Sequence, residues 1–337
     1  MFKAKYMIAV IALTLAQLAC TGQQLSNALI WKNLVGLDTD RVLPAAGKLQ
    51  LLYEWKKGSD ALQLPQDSVY ARLLHKIGVY EFYVSRNYNT ALVLTMQALR
   101  INTSGKPGSC IRRSVTDLYN IALYYDNLNL LKKALPYYDS AILQAARNEP
   151  DVDRVITNSR IGKAYVYFRM GDYEKAVEES DRARIDALER GDSLHYLSAL
   201  NQRAQSLFFQ GKWTPALEDA RTAIALGRSL HDEFQLASAL KTQGFILAAK
   251  QDFPDAEASF TRCIGERVRS KWFSQVATDY NDLGNFYRDK FKSFHKAEGA
   301  YLLAAQYARK EADSIVMARA FTNMVRNHFL LSEFEKA

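Results

Sequence analysis

The sequence predicts an all-α solenoid of about seven helical hairpins, and three observations predict it. The stretch Met170 to Ala183, MGDYEKAVEESDRA, is the clearest copy of a unit that recurs along the chain. Its helix alanine belongs to the series Ala91, Ala134, Ala176, Ala216, Ala256, Ala297 and Ala337, spaced by 43, 42, 40, 40, 41 and 40 residues. A fixed period of that length marks stacked supersecondary units. Large apolar residues stand three positions before each alanine, at Tyr88, Leu131, Tyr173, Trp213, Phe253, Phe294 and Phe334, and small ones seven after it, at Ala98, Ala141, Ala183, Ala223, Cys263 and Ala304.

The helix before each of these (helix A of the hairpin) repeats too. Nine residues before the alanine of helix B stand Phe82, Tyr125, Tyr167, Leu207 and Leu247, and twelve before it Val79, Ala122, Ala164, Ala204 and Gly244. Tyr287 and Gly284 are displaced by a one-residue insertion. Small residues let the two helices cross closely while bulky ones fill the space beside the crossing. Each hairpin is too small to bury its own apolar face, so it stacks on its neighbour. Enlarging Ala176 or Ala216 is expected to overpack a crossing at about 1 to 3 kcal/mol, and Trp213→Ala to leave a cavity costing about 3 to 5 kcal/mol.

Taken in order, residues 1–22 read as a signal peptide. Lys3 and Lys5 precede an apolar run from Met7 to Leu18, too short to span a bilayer but suited to the hydrophobic region of an export signal. Small residues at Cys20 and Gly22 permit cleavage before Gln23. Leu18-Ala19-Cys20 equally suggests lipidation of Cys20, although Gln17 stands where a lipoprotein box has its leucine. Either way the mature chain is expected outside the cytoplasm, periplasmic or associated with the outer membrane.

Residues 23–67 read as an N-terminal helical cap and linker. Asp40 is placed to cap a helix carrying Leu43, Leu49, Leu51, Leu52, Tyr53 and Trp55, and Gly58 to Asp67, with Pro65, is the linker. Residues 68–337 form the array, opened by Asp67 or Ser68 as helix cap. Its connections include Asn102 to Ser109 and the break Asn148 to Asp151. Pro215 and Pro254 fall in first turns of helix B, where a missing amide is tolerated, and Pro136 lies slightly deeper. Met317 to Leu331 reads as helix A of the last repeat, Ser332-Glu333-Phe334 as its turn and Ala337 as the start of helix B. That repeat is incomplete, so the chain reads as the N-terminal part of something longer.

Composition supports a large packed core: 48% of 337 residues are hydrophobic and 12% aromatic, with seven prolines and sixteen glycines. The formal charge of +8 falls to about +6 once Lys3 and Lys5 are removed with the signal. Pairs such as Lys56-Lys57, Arg112-Arg113 and Lys132-Lys133 are diluted by nearby acids, which argues for a solvated surface and against nucleic acid as a partner. Cys110 and Cys263 lie several repeats apart, so no disulfide between them is expected.

No catalytic constellation is visible. His75, His195, His231, His295 and His328 fall in separate elements, with no metal-ligand spacing. His328 takes the helix-A aromatic position of the last repeat and reads as a packing residue. Gly105-Lys106 lacks the spacing of a phosphate loop, and Glu178-Glu179 reads as an exposed acidic face. The chain is expected to be no enzyme and to need neither cofactor, metal nor small-molecule substrate.

Gly171-Asp172-Tyr173 with Ala176, Gly211-Lys212-Trp213 with Ala216, and Leu283-Gly284 with Tyr287 resemble the tetratricopeptide repeat. The resemblance covers Ser68 to Ala337 and departs from the family's 34-residue period, as its long-helix members do. It implies a right-handed α-α superhelix whose concave groove, lined by helix A, receives a peptide or partner protein. The groove positions expected from helix A are Asn201, Gln205, Phe208, Lys241, Phe245, Asn281, Asn285 and Arg288. Amides suit peptide-backbone hydrogen bonds and aromatics supply anchors, whereas the lysine-and-asparagine clamp of some family members is not reproduced. The opening repeat, Asp67 to Gly78, also looks similar to the repeats preceding caspase-like CHAT domains in bacterial proteins. That similarity implies a recognition segment of a larger protease. A membrane sensor carrying a kinase or transcription-regulator module is the other alternative to a free-standing scaffold.

Overall fold

The computed structural model of the chain describes residues 26–40, 42–106, 110–147 and 153–336. The expected signal, Cys20 and the Asn148–Asp151 break lie outside these residues. Among the described residues there are fifteen α-helices and no strand: α1 Asn27–Thr39, α2 Ala45–Ala61, α3 Ser68–Tyr80, α4 Tyr88–Asn102, α5 Ile111–Asn127, α6 Leu131–Arg147, α7 Asp153–Arg169, α8 Tyr173–Glu189, α9 Ser193–Phe209, α10 Trp213–Ser229, α11 Glu233–Ala249, α12 Phe253–Arg269, α13 Phe273–Asp289, α14 Phe294–Lys310 and α15 Ser314–Lys336. The chain divides within α7 into two compact units, residues 1–166 and 167–337. The longer period has a simple origin: from α8 to α14 every helix is 17 residues long, and a three-residue turn separates α9 from α10 and α10 from α11.

In the C-terminal unit one short turn both ends a helix and starts the next. After α9, the Gly211 amide donates to the Phe208 carbonyl and the Lys212 amide to Leu207, the paired bonds of a Schellman ending. The central residue is left-handed, with φ of +75° at Gly211 and +80° at Gly171, where glycine costs least. His231, Gln251 and Lys271 hold the same place at +54°, +66° and +60° without being glycine. In three of these turns the third residue caps the following helix: Asp172, Asp192 and Asp232 accept from the amides of Lys175, His195 and Gln235. One first-turn amide of each of these helices thereby gains an acceptor.

The crossings follow the sequence pattern. Ala176, Ala216, Ala256 and Ala297 are wholly buried, as are Ala183, Ala223 and Ala304, with Cys263 1% exposed. Four residues after the alanine, helix B presents a partner matched in size to helix A. Gly244 faces Phe260 and Gly284 faces Tyr301, where an added Cβ would come within 2.9 and 2.4 Å of the ring. The main core of this unit joins Ala204, Leu207, Leu217, Ile246, Leu247, Phe260, Leu283, Phe286 and Tyr301. Trp213 corrects the expectation of a buried plug at every repeat, for it is 40% exposed.

The last repeat departs from expectation as well. α15 continues through Ser332 to Lys336 as one 23-residue helix, with no turn at Ser332-Glu333-Phe334, where neither glycine nor asparagine favours a left-handed break. His328 is exposed beside Glu298, at 3.3 Å, instead of packing inward.

The N-terminal unit uses the same crossing with one difference. Gly78, not Val79, is the small residue of α3: an added Cβ there would lie 2.5 Å from Thr95 Oγ1. The shift by one residue is absorbed in a π-helical turn, Glu81–Ser85, that extends α3. It is the same displacement that the sequence shows at Gly284. Two helices, not one, precede the array. α1 is capped by Ser26 and buries Ile30, Leu34 and Leu37 against Leu51, Leu52, Trp55 and α3. Asp40 lies at the end of α1 and accepts from the Val42 and Leu43 amides, so Pro44 and not Asp40 stands at the start of α2. α2 runs on to Ala61, which shortens the expected linker to residues 62–67. Asp67 caps α3 through the amides of Val69 and Tyr70, as expected.

Candidate partner-binding site

The eight expected groove residues all lie on α9, α11 and α13 of the C-terminal unit, and the structure sorts them by register. Asn201, Lys241 and Asn281 are successive copies of one position, forty residues apart, and each reaches toward helix A of the next repeat. Asn201 Nδ2 donates to the Gln235 side chain at 2.7 Å and to its carbonyl at 3.0 Å. Lys241 Nζ lies 3.1 Å from Asp279 and 2.5 Å from Asp282. Asn281 accepts from Asn323 at 3.2 Å and donates to the Ala277 carbonyl at 3.3 Å. Asn201 and Asn281 are buried, 3% and 1% exposed. Both are thus buried against the next repeat, joined to it through Asn201 Nδ2 and Asn281 Oδ1, which corrects the expectation that they face a ligand.

Arg288 is corrected for a related reason. It is 3% exposed, paired through two hydrogen bonds to Asp289, and stands 5.9 Å from the Tyr301 ring centroid. Burial of a guanidinium is tolerated only with such pairing. Lys241 sits at the edge of the row, about a quarter exposed. Burial opposes its charge, the Asp282 and Asp279 carboxylates more than offset this, and its pKa is raised. Asp279 is shared further with Arg267 at 2.8 Å and with the Cys263 thiol at 3.4 Å, whose pKa is pushed up by burial.

Besides Lys241, four of the eight remain partly open: Gln205, Phe208, Phe245 and Asn285. The Phe208 and Phe245 rings lie 6.2 Å apart and 28° from parallel. Phe245 also meets Phe260 edge-on at 5.1 Å, which fixes the aromatic pair to the core behind it. Gln205 Nε2 reaches Ser238 at 3.4 Å, a long bond that leaves the amide replaceable. Asn285 Oδ1 accepts from the Tyr301 hydroxyl at 2.9 Å. The row thus offers two anchored aromatic faces between amides and an ion pair, a surface suited to an extended or helical segment.

A second polar cluster, on α1, α3, α4 and α5 of the N-terminal unit, escaped the sequence pattern. Arg72 and Arg113 stand over the Trp31 ring, 4.5 and 4.9 Å from its centroid. His75 Nδ1 lies 2.6 Å from Asp117 Oδ1, and Asn102 Nδ2 donates to Asp117 Oδ2 at 2.7 Å. The one available signal was the i, i+3, i+4 spacing of Arg72, His75 and Lys76 on one face of α3.

Among the described residues no three His, Cys, Asp or Glu side chains are grouped to hold a metal ion, and no helix is long and apolar enough to cross a membrane.

No protein-family model matches the chain, and no curated relative does. Solved structures do resemble it. The apo form of RapI is similar with a TM-score of 0.58 at 13% identity, over 78% of this chain and 99% of that one. A Rap protein complexed with competence and sporulation factor gives 0.58 at 13%, over 88% and 84%. The signal transduction ATPase with a tetratricopeptide repeat sensor from Pyrococcus horikoshii gives 0.56 at 13%, over 91% of this chain and 48% of that one. Together with the hairpins and their crossings, these likenesses define the class: the chain has the tetratricopeptide-type helical-repeat fold.

Proposed function

We propose that this chain is a non-catalytic interaction scaffold, and that the helix-A face of its C-terminal unit receives a peptide or a segment of a partner protein. The observation that carries the reading is the half-open Phe208 and Phe245 pair, held from behind by Phe260. Gln205, Asn285 and the Lys241 pair with Asp282 border it. An apolar side chain of the partner packs against the open side of the two rings, and the flanking amides pair with its backbone. The Rap protein solved in complex with competence and sporulation factor has a similar fold, which supports the reading by analogy of fold.

Export belongs to the same proposal and rests on Lys3, Lys5 and the apolar run Met7 to Leu18. Fractionation of cells expressing the tagged chain tests it, and the mass of the mature N-terminus distinguishes cleavage before Gln23 from a lipid on Cys20. A second reading makes the array the sensing segment of a larger signalling protein. The likeness to the ATPase with a repeat sensor, of which this chain spans about half, favours it over the protease alternative.

The test of the main reading is affinity capture with wild-type chain against the variants Gln205→Ala and Phe208→Ala, with circular dichroism as a check on folding. Loss of one captured partner by both variants, with the helical signal and melting temperature kept, is expected. Equal capture by wild type and both variants rejects this face as the site.

A further inference from the structure

The polar cluster of the N-terminal unit surrounds a cavity of about 240 Å³ lined by Arg72, His75, Lys76, Asn102, Arg113 and Asp117, with Thr116. That is below the roughly 300 to 1,000 Å³ of pockets for drug-sized ligands. Its charges are unbalanced. Arg72 and Lys76 share a single carboxylate, that of Asp38, which is 41% exposed. Asp117 is 1% exposed, and its two oxygens are already taken by His75 and Asn102.

Arg113 makes no ion pair among the described residues; it donates to the Ser68 carbonyl at 2.6 Å. Burial lowers its pKa; the like charge of Arg72 acts in the same direction, against Cys110, Asp117 and Asp67. Two like-charged guanidiniums are thus gathered over one indole, whose face attracts each of them. Three permanent cations therefore line the cavity with two carboxylates in contact, Asp38 exposed and Asp117 saturated, while Asp67 acts on Arg113 without a contact ion pair.

We propose that this cavity is a binding site for a small phosphate-type oxyanion, held by the forks of Arg72 and Arg113 and by the Lys76 ammonium. Guanidinium forks match oxyanions through two parallel hydrogen bonds, and a compact ammonium supplies the remaining point charge. Asp38 swings away from Arg72 and Lys76 to admit the anion, because it is the exposed member of that group. The site lies in the other unit from the Phe208 and Phe245 face and stands or falls independently of the scaffold reading. The anion is either free inorganic phosphate or the head group of a phosphomonoester.

The test is calorimetric titration of the full chain with inorganic phosphate and, separately, with glycerol phosphate at constant ionic strength. Indole proton shifts are followed by NMR, with Trp31→Phe assigning the Trp31 signal. Saturable phosphate binding that moves the Trp31 signal is expected, with affinity about tenfold or more lower in Arg113→Gln and in Lys76→Gln, and unchanged in Lys133→Gln. Lys76→Gln keeps the test open should Arg113→Gln fail to fold. Binding of the ester as well as of phosphate identifies a head-group site, and phosphate alone identifies a free-ion site. Absence of saturable binding of either into the millimolar range overturns the proposal, as does binding indifferent to both variants.

Discussion

Gly284 of α13 lies against the ring of Tyr301 on α14 so closely that a Cβ built on it would stand 2.4 Å from Tyr301 Cε1. The Tyr301 hydroxyl is tethered at its far end to Asn285, so the ring has little room to retreat. Gly284→Ala gains about 1 kcal/mol of helix propensity and pays about 1 to 3 kcal/mol for overpacking. A net loss, read as a lower midpoint in urea unfolding, is expected. Gly299 of α14 is the control: nothing lies within 4 Å of its Cβ direction, so Gly299→Ala raises the midpoint.

Trp213 and Phe260 carry opposite expectations to those their sizes suggest. Phe260 is 2% exposed and Trp213 40%. Phe260→Ala is expected to cost about 3 to 5 kcal/mol, and Trp213→Ala well under half of that. Thermal unfolding of the two variants side by side decides the order.

The turn residue Lys271, at φ +60°, occupies a conformation that glycine adopts at no steric cost. Lys271→Gly is expected to stabilise by about 0.5 to 1 kcal/mol, the roughly 1 to 2 kcal/mol cost of a left-handed non-glycine residue less the unfolded-state entropy that glycine adds. Lys271→Ala, which keeps the strain, is expected to give no such gain in the same melting experiment.

Acid should loosen the C-terminal unit through two carboxylates. Hydrogen bonding to Arg288 lowers the Asp289 pKa. Burial works against ionisation of Asp181, but Arg184 and Arg203 more than offset it and its pKa is lowered as well. A depressed folded-state pKa means stability that is complete above the ordinary value of 3.8 and lost as pH falls through the lower folded value. The melting temperature should therefore fall more steeply below about pH 4 in wild type than in Asp181→Asn or Asp289→Asn.

The repeats were legible because the forty-residue period survives in alanines that tolerate no larger residue, such as Ala216 and Ala256, both wholly buried. Helix α1 was missed although Ile30, Leu34 and Leu37 stand on one face and Ser26 caps it; it lies outside the period that guided the reading. Periodicity placed Asn201, Lys241 and Asn281 on one stripe but does not say whether a stripe faces a ligand or the next repeat. That depends on partners outside the unit, Gln235 for Asn201 and Asn323 for Asn281. The cluster at Trp31 was hidden for the same reason, since it joins α1 to two later helices.

The most direct test of the central claim is site-specific photo-crosslinking in cells, with benzoylphenylalanine in place of Gln205 or Phe245 and, for comparison, of Leu188 or Glu218 on exposed faces of helix B. The account predicts one discrete crosslinked partner at positions 205 and 245 and none at 188 and 218. Crosslinks confined to 188 and 218, or none at 205 and 245 while the chain still captures its partner, would contradict it.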